Sequence, residues 1–148
     1  MAGAAIGRAP SDLGARTEAF ALAIIQLVEA LPYDSVTVVR GKQLLRAGTS
    51  VGANYRAARR AESPAGFIAK MSIVEEEADE CAYWLELLRD SNLVPQGGHI
   101  AALLAESDEL VAITVASINP LIPRSAIRIP RSIGGGHGPV RRTDHLWR

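Results

Sequence analysis

The sequence predicts an all-α chain, an up-down-up-down four-helix bundle followed by a disordered C-terminal tail. Three observations lead there. Apolar residues recur at spacings of three and four in four separate stretches, the repeat that gathers them on one face of a helix. Prolines and paired glycines punctuate the gaps between those stretches. The composition is 48% hydrophobic but only 5% aromatic, and plentiful Ala and Leu favour closely packed helices over a β-sandwich. At 148 residues the chain has the length of one domain with a substantial core. We divide it into a flexible N-terminus (1–10), the bundle (11–122) and an Arg/Pro/Gly-rich tail (123–148).

The first helix is predicted to start at Ser11 or Asp12, either of which can accept hydrogen bonds from free amides of the opening turn. Leu13, Phe20, Ile24, Leu27 and Leu31 form its stripe, and Pro32 ends it. Tyr33 to Thr37 reads as the connection. Val36, Thr37, Val38 and Val39 have β propensity, but no second strand is available to pair with them. The second helix is placed from about Val38 to Ala61, with Leu44, Gly48, Val51, Tyr55 and Ala58 on one face. Gly48 and Gly52 each cost ~1 kcal/mol of helix propensity relative to Ala, a loss tolerable where a neighbouring backbone comes very close. A phosphate-cradling loop would need a glycine-lysine-serine/threonine sequence, which is absent.

Ser63-Pro64 is a capping hydroxyl followed by proline at the first helical position, and the third helix runs from there to about Asn92. Phe67, Met71, Val74, Ala78, Cys81, Leu85 and Leu88 alternate by four and three, a seam three heptads long. Trp84 and Leu87 widen that face, implying more than one partner helix. Pro95, Gly97 and Gly98 break the chain again. The fourth helix covers about His99 to Ile118, with Ile100, Leu103, Leu104, Leu110, Val111, Thr114, Ser117 and Ile118 inward, and Pro120 and Pro123 terminate it. Beyond it, Gly134-Gly135-Gly136, further prolines and scattered arginines cannot bury enough apolar surface to order themselves.

No stretch reaches the ~18 uninterrupted apolar residues that span a bilayer. The first ten residues lack the regions of a signal peptide. The one cysteine, Cys81, excludes an intramolecular disulfide and fits a reducing cytoplasm. The formal net charge of zero excludes a global attraction to nucleic acid or membrane, but it conceals segregation. Arg40, Lys42, Arg46, Arg56, Arg59 and Arg60 crowd the second helix, while Glu75, Glu76, Glu77, Asp79 and Glu80 crowd the third. The tail carries Arg124, Arg128, Arg131, Arg141, Arg142 and Arg148 against Asp144 alone.

The run Leu44-Leu45-Arg46-Ala47-Gly48-Thr49-Ser50-Val51-Gly52-Ala53-Asn54-Tyr55-Arg56-Ala57-Ala58 strongly resembles the signature of a bacterial four-helix bundle family. Members were first noticed as products of intervening sequences in the large-subunit ribosomal RNA gene. Phe67-Ile68-Ala69-Lys70-Met71, Glu75 to Glu80 and Tyr83 to Leu88 are similar to the family's second signature. The resemblance covers about Ser11 to Ile122. It implies a left-handed bundle assembled into a ring-like homopentamer, with no established catalytic activity. A related branch is the accessory protein of diversity-generating retroelements, a basic pentamer that binds nucleic acid and a reverse transcriptase. Here the bundle instead carries a dense acidic cluster and the whole chain is neutral.

Several residues invite a chemical reading. A di-iron carboxylate bundle would need Glu-x-x-His pairs, and no histidine stands three residues after a glutamate. Glu77 and Glu80 are the carboxylates placed to be partly buried, and they define the enzyme alternative. His137 and His145 lie in the tail and His99 opens the fourth helix, so no metal or cofactor site is expected. Cys81 sits on the seam among carboxylates, a setting that opposes a reactive thiolate and favours core packing. Arg46, Arg56, Arg59 and Arg60 define a candidate nucleic-acid surface, multiplied in a ring; the plainer reading pairs arginines with Glu62, Glu76 or Glu80. Asn54, in a small-residue face, is expected either to hydrogen-bond across a helix interface and fix alignment, the favoured reading, or to bind a ligand. The primary expectation is a non-enzymatic, cytoplasmic homo-oligomer. Gly48, Val51, Gly52, Asn54, Tyr55, Tyr83, Trp84 and Leu87 supply its helix and subunit packing. The alternative partner is RNA, DNA or a nucleic-acid-processing protein.

Overall fold

Three side chains mark where helices begin. Asp12 accepts from the Gly14 amide at 3.0 Å. Asp34 accepts from the amides of Val36 at 3.0 Å and Thr37 at 2.9 Å. Ser63 accepts from the Gly66 amide at 3.0 Å, with Pro64 as the first helical residue. The computed structural model describes residues 12–92 and 98–123. Its elements are α1 (Leu13–Glu29), α2 (Ser35–Arg59), α3 (Pro64–Asp90), α4 (Gly98–Ile118) and a single 3-10 turn (Asn119–Leu121). The expectations for the first ten residues, for the break at Pro95 and Gly97, and for the chain after Pro123 lie outside the described residues.

The sequence placed the start of α2 at Val38, but α2 begins at Ser35. The reason is Asp34, whose cap satisfies the amides of the first turn and absorbs Val36, Thr37 and Val38 into the helix despite their β-branched side chains. At the other end α2 stops at Arg59, short of Ala61. Helix α3 ends at Asp90, and Asn92 follows with a φ of 53°, the left-handed conformation in which asparagine commonly closes a helix.

Helices α1 and α2 run antiparallel, as their contacts at three levels show. A Cβ built on Gly52 would meet Thr17, one on Gly48 would meet Ile24, and one on Gly41 would meet Val28 and Leu31. The next pair, α2 and α3, is likewise antiparallel across a short connection, with Arg46 reaching Glu77 and Glu80. Each helix packs on its chain neighbours, and α1 also meets α4, so the four close into a square around one core.

That core is the one the heptad pattern predicted. Ile24, Leu44, Val51, Val74, Cys81, Leu85, Leu88 and Leu110 are fully buried, and Phe67, Trp84 and Leu104 pack against them part-buried. Three of the four buried hydroxyls are satisfied locally: Thr17 donates to the Gly14 carbonyl, Ser107 to Leu103 and Thr114 to Leu110, whereas Thr37 Oγ1 finds no partner among the described residues. Thr17 and Ser107 are core positions that apolar periodicity alone missed. The seam between α1 and α4 is closed by an ion pair at its edge. Arg16 donates from Nε to Glu106 at 2.6 Å and from Nη2 at 2.9 Å, with Glu109 at 3.9 Å.

Candidate functional site

Along the outside of α2, Val39, Lys42, Arg46, Thr49, Ala53, Arg56 and Arg60 recur at alternating spacings of three and four, and every one is exposed. This ridge holds four cations and no carboxylate. Arg46 is already engaged: Nη1 donates to Glu77 at 3.3 Å and Nη2 donates to Glu80. The same Glu80 oxygen accepts from the Trp84 indole at 3.0 Å. These hydrogen bonds, Arg46 first and Trp84 second, hold the Glu80 carboxyl below its ordinary range. Arg46, a member of the predicted basic patch, is thus already bonded to two carboxylates of α3 while its side chain stays half exposed. Glu77 and Glu80, the carboxylates of the enzyme alternative, both accept from Arg46 of α2.

Arg56, Arg59 and Arg60 are exposed and, among the described residues, form no ion pair. They do not meet Glu62, Glu76 or Glu80. The register explains why for the upper carboxylates. Arg46 is level with Glu77, so Glu76 stands roughly 18 Å along the axis from Arg59 at about 1.5 Å per residue.

Helix α3 carries a second stripe, Ile73, Glu76, Glu80, Tyr83 and Leu87, again spaced by three and four but on the side away from the core. Tyr83 is 55% exposed and meets Trp84 edge-on, with ring centroids 5.2 Å apart. Trp84 packs against the core with part of its surface, whereas Leu87 is half-buried outside the core cluster. The register brings the first turns of α2 level with this end of α3. There Val36 and Val39 are 47% and 58% exposed. Val36, Val39, Tyr83 and Leu87 thus stand at one level of the bundle, on the outer parts of α2 and α3. The two valines were missed because the sequence reading placed the first inside the connection and gave neither an outward face. Their spacing to Gln43 and Arg46 was the available signal.

The small-residue positions of α2 serve the bundle itself. A Cβ on Gly48 would lie 2.5 Å from Ile24 Cδ1, so what comes close there is a branched side chain, not backbone. At Gly52 the nearest atoms belong to Thr17, and its backbone carbonyl carbon is 3.7 Å away. Val51 is fully buried and Tyr55 packs on the core. The Asn54 amide does not cross a helix interface: Nδ2 donates to the Ser50 carbonyl and to Ser50 Oγ, each at 2.9 Å, on its own helix. Its polar head is satisfied within α2, which removes the reason for a cross-helix bond.

Cys81 is buried, and its thiol is pushed up to about 12 by desolvation, with Glu77 and Glu80 adding to the effect. Among the described residues no group of three or more His, Cys, Asp or Glu side chains is arranged to hold a metal. His99 is exposed at the start of α4; His137 and His145 lie outside the described residues. At the α1–α2 corner a groove of about 240 Å³ is lined by Val28, Leu31, Pro32, Thr37, Val38 and Leu45, with Glu29, Lys42 and Tyr33 also bordering it. Tyr33 is 96% exposed there.

Comparison with known proteins places this bundle among relatives. No helix among the described residues is long and apolar enough to cross a membrane. No curated protein matches the chain. A crystal structure at 1.70 Å resolution does: a protein of unknown function from the S23 ribosomal protein family of Bacteroides thetaiotaomicron VPI-5482. It is 34% identical, with a TM-score of 0.67, over 72% of this chain and 98% of that one. The model of the family described as 23S rRNA-intervening sequence protein matches residues 12–116. That span runs from the cap of α1 into the last turn of α4 and contains both the buried seam and the outer stripes, so the chain belongs to the 23S rRNA-intervening sequence protein family.

Proposed function

We propose that this protein is a non-enzymatic, cytoplasmic self-associating module, assembled through the outer face of α2 and α3 into the homopentamer that the family resemblance implies. One observation carries the reading. Val36, Val39 and Tyr83 are exposed and Leu87 is half-buried at one level of the outer α2 and α3 faces, and none of the four belongs to the bundle's core cluster. Apolar side chains scattered singly need no explanation, but a cluster on one face is what an interaction surface requires. The chemistry inside the bundle points the same way. The thiol is buried and its ionisation opposed, and the two central carboxylates are bound to Arg46.

The test is the native mass of the full chain, by sedimentation or native mass spectrometry, for the wild type and for a Val39→Asp/Leu87→Asp variant. A wild-type oligomer that becomes a helical monomer in the variant supports the reading. A wild-type monomer at micromolar concentration removes it.

A second reading, binding of RNA or DNA, has one specific observation in its favour. Arg56, Arg59 and Arg60 lie together at the end of the bundle where α4 finishes, exposed and without an ion pair among the described residues. Arg46 is not part of this surface. Phosphate contacts of this kind make affinity fall steeply with added salt. Changing Arg56, Arg59 and Arg60 together to Ala is expected to weaken binding and flatten the salt dependence. No mobility shift on RNA or DNA at low salt would remove this reading.

A further inference from the structure

Hydroxyls elsewhere in the bundle donate to a carbonyl three or four residues earlier on their own helix, as Thr17, Ser72, Ser107 and Thr114 do. Thr37 does not. It is only 1% exposed, yet its Oγ1 has no hydrogen-bond partner among the described residues. Its place in the chain explains the difference. Thr37 is the third residue of α2, so Tyr33, four residues before it, lies outside the helix. The Asp34 carbonyl, three residues before it, accepts from the Val38 amide instead. A buried hydroxyl left alone costs stability, and valine has the same shape without that cost.

Thr37 lines the groove at the α1–α2 corner, whose walls are Val28, Leu31, Val38 and Leu45. The groove's volume, about 240 Å³, exceeds the ~150 Å³ that admits benzene and falls short of the ~300 Å³ at which drug-sized sites begin. A body about one ring across is the size that fits. The rim bears one acid and one base, Glu29 and Lys42, both exposed, so neither sign of charge is favoured in a ligand. The Thr37 hydroxyl is the first cause holding the Asp34 carboxyl below its ordinary range, although no hydrogen bond joins the two. A hydroxyl whose hydrogen is drawn that way keeps its oxygen lone pairs for a donor from elsewhere. Oγ1 is itself covered, so a bound molecule reaches it by shifting a part-buried wall residue such as Leu31 or Val38.

We infer that the α1–α2 groove is a binding site for a small neutral molecule with an apolar body of about one ring and a single O–H or N–H donor. The donor bonds to Thr37 Oγ1, and the body lies between the α1 and α2 walls. The site is separate from both surfaces proposed above, since Val39 stands on the outer face of α2 and Arg56, Arg59 and Arg60 at its far end. The hydroxyl is already unpartnered in the free protein, so a molecule without the donor neither gains nor loses a bond there. The expected preference is therefore that of one hydrogen bond, about 3- to 10-fold in affinity.

The test titrates the full chain with phenol and with toluene, which has a similar ring and no donor, while following the methyl NMR signals of Val28, Leu31, Val38 and Leu45. Saturable shifts of those signals are expected with phenol, at concentrations about 3- to 10-fold lower than with toluene. Thr37→Val is expected to raise the urea midpoint of the free protein and to bring the phenol and toluene affinities together. The absence of a saturable phenol shift at these methyls would overturn the inference, as would equal binding of phenol and toluene by the wild type. A Thr37→Val variant that keeps the preference for phenol would place the donor's partner elsewhere and overturn it too. So would an unchanged or lowered urea midpoint, which would mean that water already serves the hydroxyl. The wild-type comparison decides the matter even if the variant does not fold.

Discussion

Gly48 and Gly52 stand one turn apart on α2 and respond differently to one added carbon. At Gly48 a methyl group would press on Ile24 Cδ1 at 2.5 Å and on Cγ2 at 3.0 Å, inside a core with no slack. Gly48→Ala is expected to destabilise by about 1–3 kcal/mol, even though Ala recovers ~1 kcal/mol of helix propensity. At Gly52 the same methyl would lie at ordinary contact distance from Thr17, so Gly52→Ala is expected to be neutral or stabilising by up to ~1 kcal/mol. Urea midpoints of the two variants check both signs. Glu80 yields a pH prediction. Its folded carboxyl ionises below the ordinary 4.5, so the stability from its bonds to Arg46 and Trp84 is present above that value. It disappears as pH falls through the lower folded value. Glu80→Gln should therefore lose less stability on acidification than the wild type, measured by urea unfolding across a pH series.

At the scale of elements, α3 is the clearest case, because adjacent residues on it have opposite duties. Leu88 is fully buried, whereas Leu87 lies outside the core cluster. Leu88→Asp is expected to abolish helical circular dichroism, since an unpaired buried carboxylate costs several kcal/mol. Leu87→Asp should keep the helical signal and alter only the native mass. The inward stripe was legible in the sequence because burial on a helix imposes a period, and periods can be read one residue at a time. The starts of α1 and α3 were legible too, through Asp12 and Ser63. The start of α2 was not, since the β-branched run from Val36 to Val39 masked the cap at Asp34. The pairing of an α2 arginine with Glu80 was within the plainer sequence reading, but that Arg46 makes it and also reaches Glu77 was not legible. Which carboxylate it reaches depends on how α2 and α3 slide past each other, and no local pattern records that. Asn54 failed similarly: a polar residue in a small-residue face has several possible partners, and Ser50 on its own helix was the nearest.

For the molecule as a whole, the two candidate surfaces sit at opposite ends. Tyr33, Val36, Val39 and Tyr83 are exposed at the end where α1 joins α2, and Arg56, Arg59 and Arg60 are exposed where α2 and α4 finish. This polarity separates the two proposed activities, so Val39→Asp/Leu87→Asp should change mass, and Arg56→Ala with Arg59→Ala and Arg60→Ala should change only polyanion affinity. The pairings around the square are unequal too. Helices α1 and α4 share the least contact, and the Arg16–Glu106 pair seals their edge. A weakly joined side is where a native protein breathes. Amide hydrogens of α1 are expected to exchange with solvent through partial openings, at a lower free energy than those in the middle of α3, which require the entire fold to come apart. Arg16→Met should widen that gap, as read by native-state deuterium uptake. The chain thus has a built-in order of loosening, with its first helix as the movable wall.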